Sequence, residues 1–238
     1  MPIGISENFR QSFAFTKENL FSKILNWVIL FVLVFFAGIY LAELLPDFVL
    51  LWAVLGIAAS IITCGITMRI YAGGDVTFAS FGTVIIKGIG YNVAALVYSL
   101  PALILMVIAI VVILVPILSG SPEAGLTGAA IGLVILMPAL ILAFLASAFI
   151  IPAAVNYAHS TGVGGAFRIS EILSRIEKAG WGMFIGSFLI FLVIQMVVAV
   201  PTAILTTFGL PIIGGIVTAV INPIILVLQA KYFANLLS

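Results

Sequence analysis

The chain has 238 residues, of which 64% are apolar and 7% charged, and its net charge is +1. A soluble domain carries about 25% charged residues, so this composition excludes a soluble enzyme and a disordered chain and leaves an integral membrane protein. The near-neutral balance excludes a basic field for nucleic acid, and a single cysteine, Cys64, excludes a disulfide framework or a cysteine-rich metal site.

Residues 1–21 form the first predicted element, an N-terminal cytoplasmic amphipathic segment. Phe9, Phe13, Leu20 and Phe21, followed by Ile24 just beyond, stand among Glu7, Arg10, Lys17 and Glu18. The first apolar run begins only after these charges and no small-residue cleavage site follows a short apolar core, so a cleaved leader is not expected. A six-helix transmembrane domain then fills 22–238. Charges punctuate it: 19 uncharged residues separate Lys23 from Glu43, and 21 separate Asp47 from Arg69. Each run matches one helix of about 20 residues. Longer runs follow, of 35 residues up to Glu123, 44 up to Arg168 and 52 from Lys178 to Lys231. The last holds two spans, turned at Phe208-Gly209-Leu210-Pro211. The spans predicted are 22–44, 48–71, 91–118, 124–152, 181–206 and 211–236, with interfacial segments at 76–90 and 165–179. Pro138 and Pro152 predict a kinked fourth span whose end, Val155 to His159, emerges at the interface.

Basic residues set the orientation. In the six-helix arrangement all nine Lys and Arg fall on one side, and the other carries only Glu43, Asp47 and Glu123. The positive-inside rule makes both termini cytoplasmic. The expected fold is all-α: six transmembrane helices as three hairpins, each preceded by a cytoplasmic interfacial amphipathic helix. Each even-numbered span ends in a tyrosine near an alanine, at Tyr71-Ala72, Tyr157-Ala158 and Tyr232-Phe233-Ala234. That pattern fits either an internal repeat or a shared interfacial anchor.

Several short motifs carry a resemblance. They are Ser12-Phe13-Ala14-Phe15 with Lys23-Ile24-Leu25, and Tyr98-Ser99-Leu100-Pro101-Ala102-Leu103. Ile151-Pro152-Ala153-Ala154, Tyr157-Ala158, Ala166-Phe167 and Glu171-Ile172-Leu173 complete the set. Together they are similar to the prokaryotic, largely archaeal membrane family called domain of unknown function 4013. The chain departs from the family pattern at Gly73-Gly74-Asp75-Val76. The resemblance implies a polytopic protein of the prokaryotic plasma membrane. It supplies no activity, cofactor or catalytic residue.

Chemistry-bearing residues are few. His159 is the only histidine and stands at a helix end without a ligand cluster. Cys64 lies mid-span, where a thiol acts as a small hydrophobe. Glu171 and Glu177 share a segment with Arg168, Arg175 and Lys178, where pairing at helical spacing accounts for them. Gly73-Gly74 and Gly162-Val163-Gly164-Gly165 lack the strand and Lys-Ser/Thr of a phosphate loop. Within the spans the candidate polar positions are Gln195 and Asn222, read as interhelical hydrogen-bonding groups or, with Pro223 breaking the sixth helix, as a transport site. Gly128 with Gly132, Gly182 with Gly186, and Gly56 with Ser60 are small pairs suited to helix packing, within one chain or between subunits. Lys23, Lys87, Arg168, Arg175 and Lys178 are candidate contacts for lipid headgroups.

The expected function is that of a non-enzymatic integral membrane component without a cofactor. It would organise membrane, bind lipid, self-associate or bind a membrane-protein partner. A small-solute transporter or channel using a broken sixth helix is the alternative.

Overall fold

The computed structural model describes residues 4–38, 46–78, 80–118 and 122–238. Every regular element among them is helical. The order is α1 (Ile5–Thr16), α2 (Ile24–Ala37), α3 (Val49–Tyr71), α4 (Phe81–Leu118), α5 (Pro122–Ala158), α6 (Ile169–Ala179), α7 (Trp181–Thr207) and α8 (Pro211–Leu237). A π-helical turn, Lys17–Phe21, extends α1, and short 3-10 turns precede α3 and α6. Glu43 and the end of the first expected span lie outside the described residues.

Among the described residues five helices are long and apolar enough to cross a membrane: α3, α4, Gly125–Ala158 of α5, α7 and α8. Ile5–Phe21 and Ile24–Ala37 form a sixth candidate only as a pair, because the chain bends by 91° between them. The long helices turn large apolar side chains outward: Leu50 is 80% exposed, Val134 72% and Val197 68%. Water would not tolerate so continuous an apolar surface, whereas lipid tails solvate it.

The chain forms two compact units, Met1–Asn92 with Pro152–Ser238, and Val93–Ile151. In the first, α8 is central and packs against α1, α2, α3, α6 and α7. Its C-terminal half buries Val227, Ala230, Tyr232, Phe233 and Leu237. Phe191 of α7 meets both Tyr232 and Phe233, with ring centroids 5.3 and 5.6 Å apart. Tyr71, Tyr157 and Tyr232, the three tyrosines near the even span ends, are all buried.

The second unit is a pair of helix segments with a seam of small residues. Ala102 and Ala109 on α4 are seven residues apart, as are Gly132, Ala139 and Ala146 on α5, and all five are buried. A seven-residue spacing keeps small groups on one face over several turns. A Cβ on Gly128 would meet Pro116 Cγ at 2.6 Å, and one on Gly132 would come within 3.1 Å of the Ala109 carbonyl. Backbones therefore approach there as small residues allow.

Three differences from the sequence reading follow from local chemistry. The expected interfacial segment 76–90 is not a separate piece, because α4 starts at Phe81 and runs on to Leu118. No proline interrupts 81–90, and glycine alone weakens a helix without ending it. In contrast, Gly180 at φ 91° separates α6 from α7, and Lys23 at φ −124°, ψ 68° separates the first turn from α2. The fourth span is longer than 124–152, since α5 continues to Ala158. The expected break at Asn222-Pro223 is absent: α8 is one helix from Pro211 to Leu237. Proline removes one donor there, and packing against neighbouring helices sustains the rest.

Candidate functional site

Polar side chains of the first unit gather where α5 ends and α6 begins. Asn156, in the last turns of α5, is 4% exposed. Its Nδ2 donates to the Gly165 carbonyl and to Glu171 Oε2, both at 2.9 Å. Its Oδ1 accepts from Arg175 Nε at 2.9 Å. Arg175 Nη1 in turn donates to the Leu237 carbonyl at 2.8 Å, linking α6 to the end of α8. Glu171 Oε1 pairs with Arg168 Nη1 at 3.1 Å, the helical i,i+3 pairing expected from the sequence. The Asn156 hydrogen bond, followed by the Arg168 contact, holds the Glu171 carboxyl below its ordinary range. His159 lies just beyond α5, and its pKa is lowered first by burial and then by the positive charges of Arg175 and Lys87.

The α6 helix forms because Ile172, Ile176 and Ala179 recur at three- and four-residue spacing and are buried. The opposite side carries Ser170, Ser174 and Lys178, one turn apart. These three, with Asn156, Glu171, Arg175 and Ser238, line an open cleft of about 570 Å³.

A second cluster fixes the end of α5. Lys87 Nζ donates to the Tyr157 carbonyl at 3.1 Å and the Ser160 carbonyl at 2.9 Å. It also stands 4.4 Å from the centroid of the Tyr157 ring. A cation at a helix C-terminus completes orphan carbonyls and complements the helix dipole. The Tyr157 ring fits because Gly90 has no side chain, since a Cβ there would collide with it. The helices α3 and α4 cross with similar closeness. A Cβ on Gly65 would strike the Val84 carbonyl, and one on Gly88 would strike the Ile61 carbonyl.

The N-terminal elbow is fixed by amides. Asn19 Oδ1 accepts from the Val76 N–H at 3.2 Å, and Asn26 Nδ2 donates to the Val76 carbonyl at 2.7 Å. Asn8 Nδ2 donates to the Tyr232 carbonyl at 3.1 Å, and Asn235 Nδ2 donates to Asn8 Oδ1 at 3.1 Å. Phe9 stacks on Phe191, with centroids 6.4 Å apart. Polar Asn8, Ser12, Thr16 and Asn19 are therefore buried against the protein, while Ile5, Phe13 and Phe21 are exposed.

The five candidate headgroup residues have different partners. Arg175 and Lys178 line the same cleft. Arg168 is paired with Glu171, and Lys87 is turned inward as a cap. Lys23 lies 3.8 Å from Asp75. The polar span residues are also apart in role. Gln195 Nε2 donates to Gln229 Oε1 at 3.5 Å, between a Ser187–Tyr232 pair at 2.8 Å and a Thr202–Thr218 pair at 2.8 Å. These pairs join α7 to α8 as interhelical hydrogen bonds. Asn222 is not among them, and its buried Oδ1 accepts no hydrogen bond from a described residue. Gly128 and Gly132 pack within the chain, but a Cβ on Gly182 or Gly186 would meet nothing within 4 Å.

Asn156, Gly65, Gly88 and Gly90 were not singled out from the sequence. The glycines offered a signal: Gly88 and Gly90 lie inside an apolar helical run, where glycine points to close packing. Asn156 offered less, because an amide beside Tyr157 reads as an ordinary interfacial residue.

Long apolar helices, an outward apolar surface and polar groups collected at helix ends define a multi-pass helical membrane protein. The chain belongs to the family described as protein of unknown function (DUF4013), whose profile matches residues 48–207. The motifs at 12–25 lie outside that match. No curated protein and no solved structure matches the chain.

Proposed function

We propose that the protein is a non-enzymatic component of the prokaryotic plasma membrane that binds and orders lipid along its cytoplasmic face. The observation that carries this reading is the inverted burial of α1. Its polar side faces the protein, and Phe13 is 51% and Phe21 50% exposed. With α2 crossing the bilayer, the 91° bend lays α1 close to the membrane plane. On a helical wheel Phe13, Lys17 and Arg10 follow one another round one flank, and Glu7, Gln11 and Glu18 follow on the next. An aromatic and basic flank suits the headgroup boundary, and an acidic flank suits water. In this reading α6 is a second interfacial helix, the basic side is cytoplasmic, and both termini lie there. The uncovered Gly182 and Gly186 of α7 would admit a helix from a second copy or from a membrane-protein partner.

Nitroxide depth measurement tests the reading. In a Cys64→Ala background, a label at Phe13→Cys should be reached by oxygen and shielded from an aqueous nickel chelate. A label at Gln11→Cys should show the opposite. Equal access of the chelate to both sites would sink the proposal.

A further inference from the structure

We propose that the cleft over α6 binds a phosphate group, with Lys178, Ser174 and Ser170 as its free donors and Arg175 as its fixed cation. The inference deepens the membrane-surface reading and rests on it for the source of the ligand. Its first support is which groups are already committed. Arg175 is held at both ends, by Asn156 through Nε and by the Leu237 carbonyl through Nη1. Glu171, the one carboxylate side chain in the wall, is occupied by Asn156 and Arg168. Ser170, Ser174 and Lys178 make no side-chain hydrogen bond or ion pair among the described residues, although all three line the cleft.

Charge and geometry give the class of ligand. Arg168 offsets Glu171, so among the side chains of the wall the positive charges of Arg175 and Lys178 have no carboxylate partner. Two hydroxyls and an ammonium stand at successive turns of one helix face, about 5.4 Å apart along the axis. A phosphate presents several acceptor oxygens and can lie between neighbouring turns, taking a hydroxyl from one and the ammonium from the next. A guanidinium already fixed by its neighbours loses little freedom when it joins them, and charge-assisted hydrogen bonds to phosphate are among the stronger ones. The Asn156 network thus serves as the support of the cleft, and the uncommitted serines and lysine as its reading groups. The same phosphate chemistry could arrive as a lipid headgroup or as free phosphate.

The test uses the full chain purified in a neutral detergent. Phosphatidic acid, phosphatidylglycerol and diacylglycerol of matched acyl chains are offered, and retained lipid is measured by native mass spectrometry. The wild-type protein should retain the two phosphate lipids over diacylglycerol. Lys178→Gln with Ser174→Ala should lower that retention about tenfold, as loss of a charge-assisted contact implies. Thermal melting should be unchanged, because neither side chain holds another part of the protein. Lys231→Gln on α8, whose ammonium lies over the Phe15 ring, should leave retention as it was. Added inorganic phosphate separates the sources. Displacement of lipid shows that the site also takes the free ion, and retention shows that it requires the lipid. Both outcomes support the site. Equal retention by the double variant and the wild type would overturn it, as would an equal loss in Lys231→Gln. Detergent removes the bilayer, so this result stands apart from the depth of Phe13, on which the broader reading depends.

Discussion

Arg175 reaches back 19 residues along the chain to Asn156 and donates to its amide oxygen at 2.9 Å. That bond makes a buried amide the junction between α5 and α6. The same guanidinium continues to the end of α8 at Leu237. One short helix is thereby tied to two others through a single side chain.

Asn156→Ala should weaken the protein more than any single exposed charge change. It strands the Gly165 carbonyl, the Arg175 Nε–H and one Glu171 oxygen. An unsatisfied buried partner costs about 1–3 kcal/mol. Melting in detergent should fall accordingly, while Glu177→Gln on the exposed side of α6 should change it little.

The glycines divide into two groups. Gly65→Ala and Gly88→Ala drive a methyl into a backbone carbonyl and should destabilise by about 1–3 kcal/mol. Gly182→Ala and Gly186→Ala meet open space within the chain and should be neutral or stabilising, by up to about 1 kcal/mol of helix propensity. Comparison of the four melting curves checks this. Equal losses in all four would contradict the helix crossing described for α3 and α4.

Acid should loosen the α5–α6 junction through Glu171. Its folded-state pKa lies below the ordinary 4.5. The unfolded chain therefore takes up the proton first as pH falls. The stabilising contribution is complete above about pH 4.5 and is lost as pH drops through the lowered folded value. Glu171→Gln should melt below wild type at neutral pH, and the gap should close in acid. A gap independent of pH would show that the carboxylate charge plays no part.

Gln195→Leu should cost little. Its bond to Gln229 is 3.5 Å long, and interhelical hydrogen bonds in membranes average about 0.6 kcal/mol. Thr202→Val, which removes a 2.8 Å pair with Thr218, should cost more. A larger loss in Gln195→Leu would point to a role beyond helix pairing.

The apolar runs made the helical class legible, because an uncharged stretch of about 20 residues has few other fates. The Arg168–Glu171 pair was legible for a similar reason, since i,i+3 spacing is a local property. Where α4 begins was not legible. Interfacial composition at 76–90 marks a change of surroundings, not a break in the backbone. The Asn222-Pro223 break misled because proline disrupts an isolated helix more than one packed among neighbours. The candidate cleft was half readable. Arg175 and Lys178 stood out by charge, but Lys87 looked equally available and instead caps α5. Asn156 and the Gly65–Gly88 crossing depend on contacts between helices, which no local pattern encodes.

Asn8 and Tyr232 stand 224 residues apart in sequence and are joined at 3.1 Å. At ribosomal rates of about 5–20 residues per second, that interval corresponds to roughly 10–45 seconds of synthesis. The α1 helix is therefore translated long before the helix it bonds. Until α8 is made, the buried Asn8 side chain lacks both the Tyr232 carbonyl and the Asn235 amide that it bonds in the folded protein. Assembly closes like a clasp, and truncation near the C-terminus would leave it open at the opposite end of the sequence.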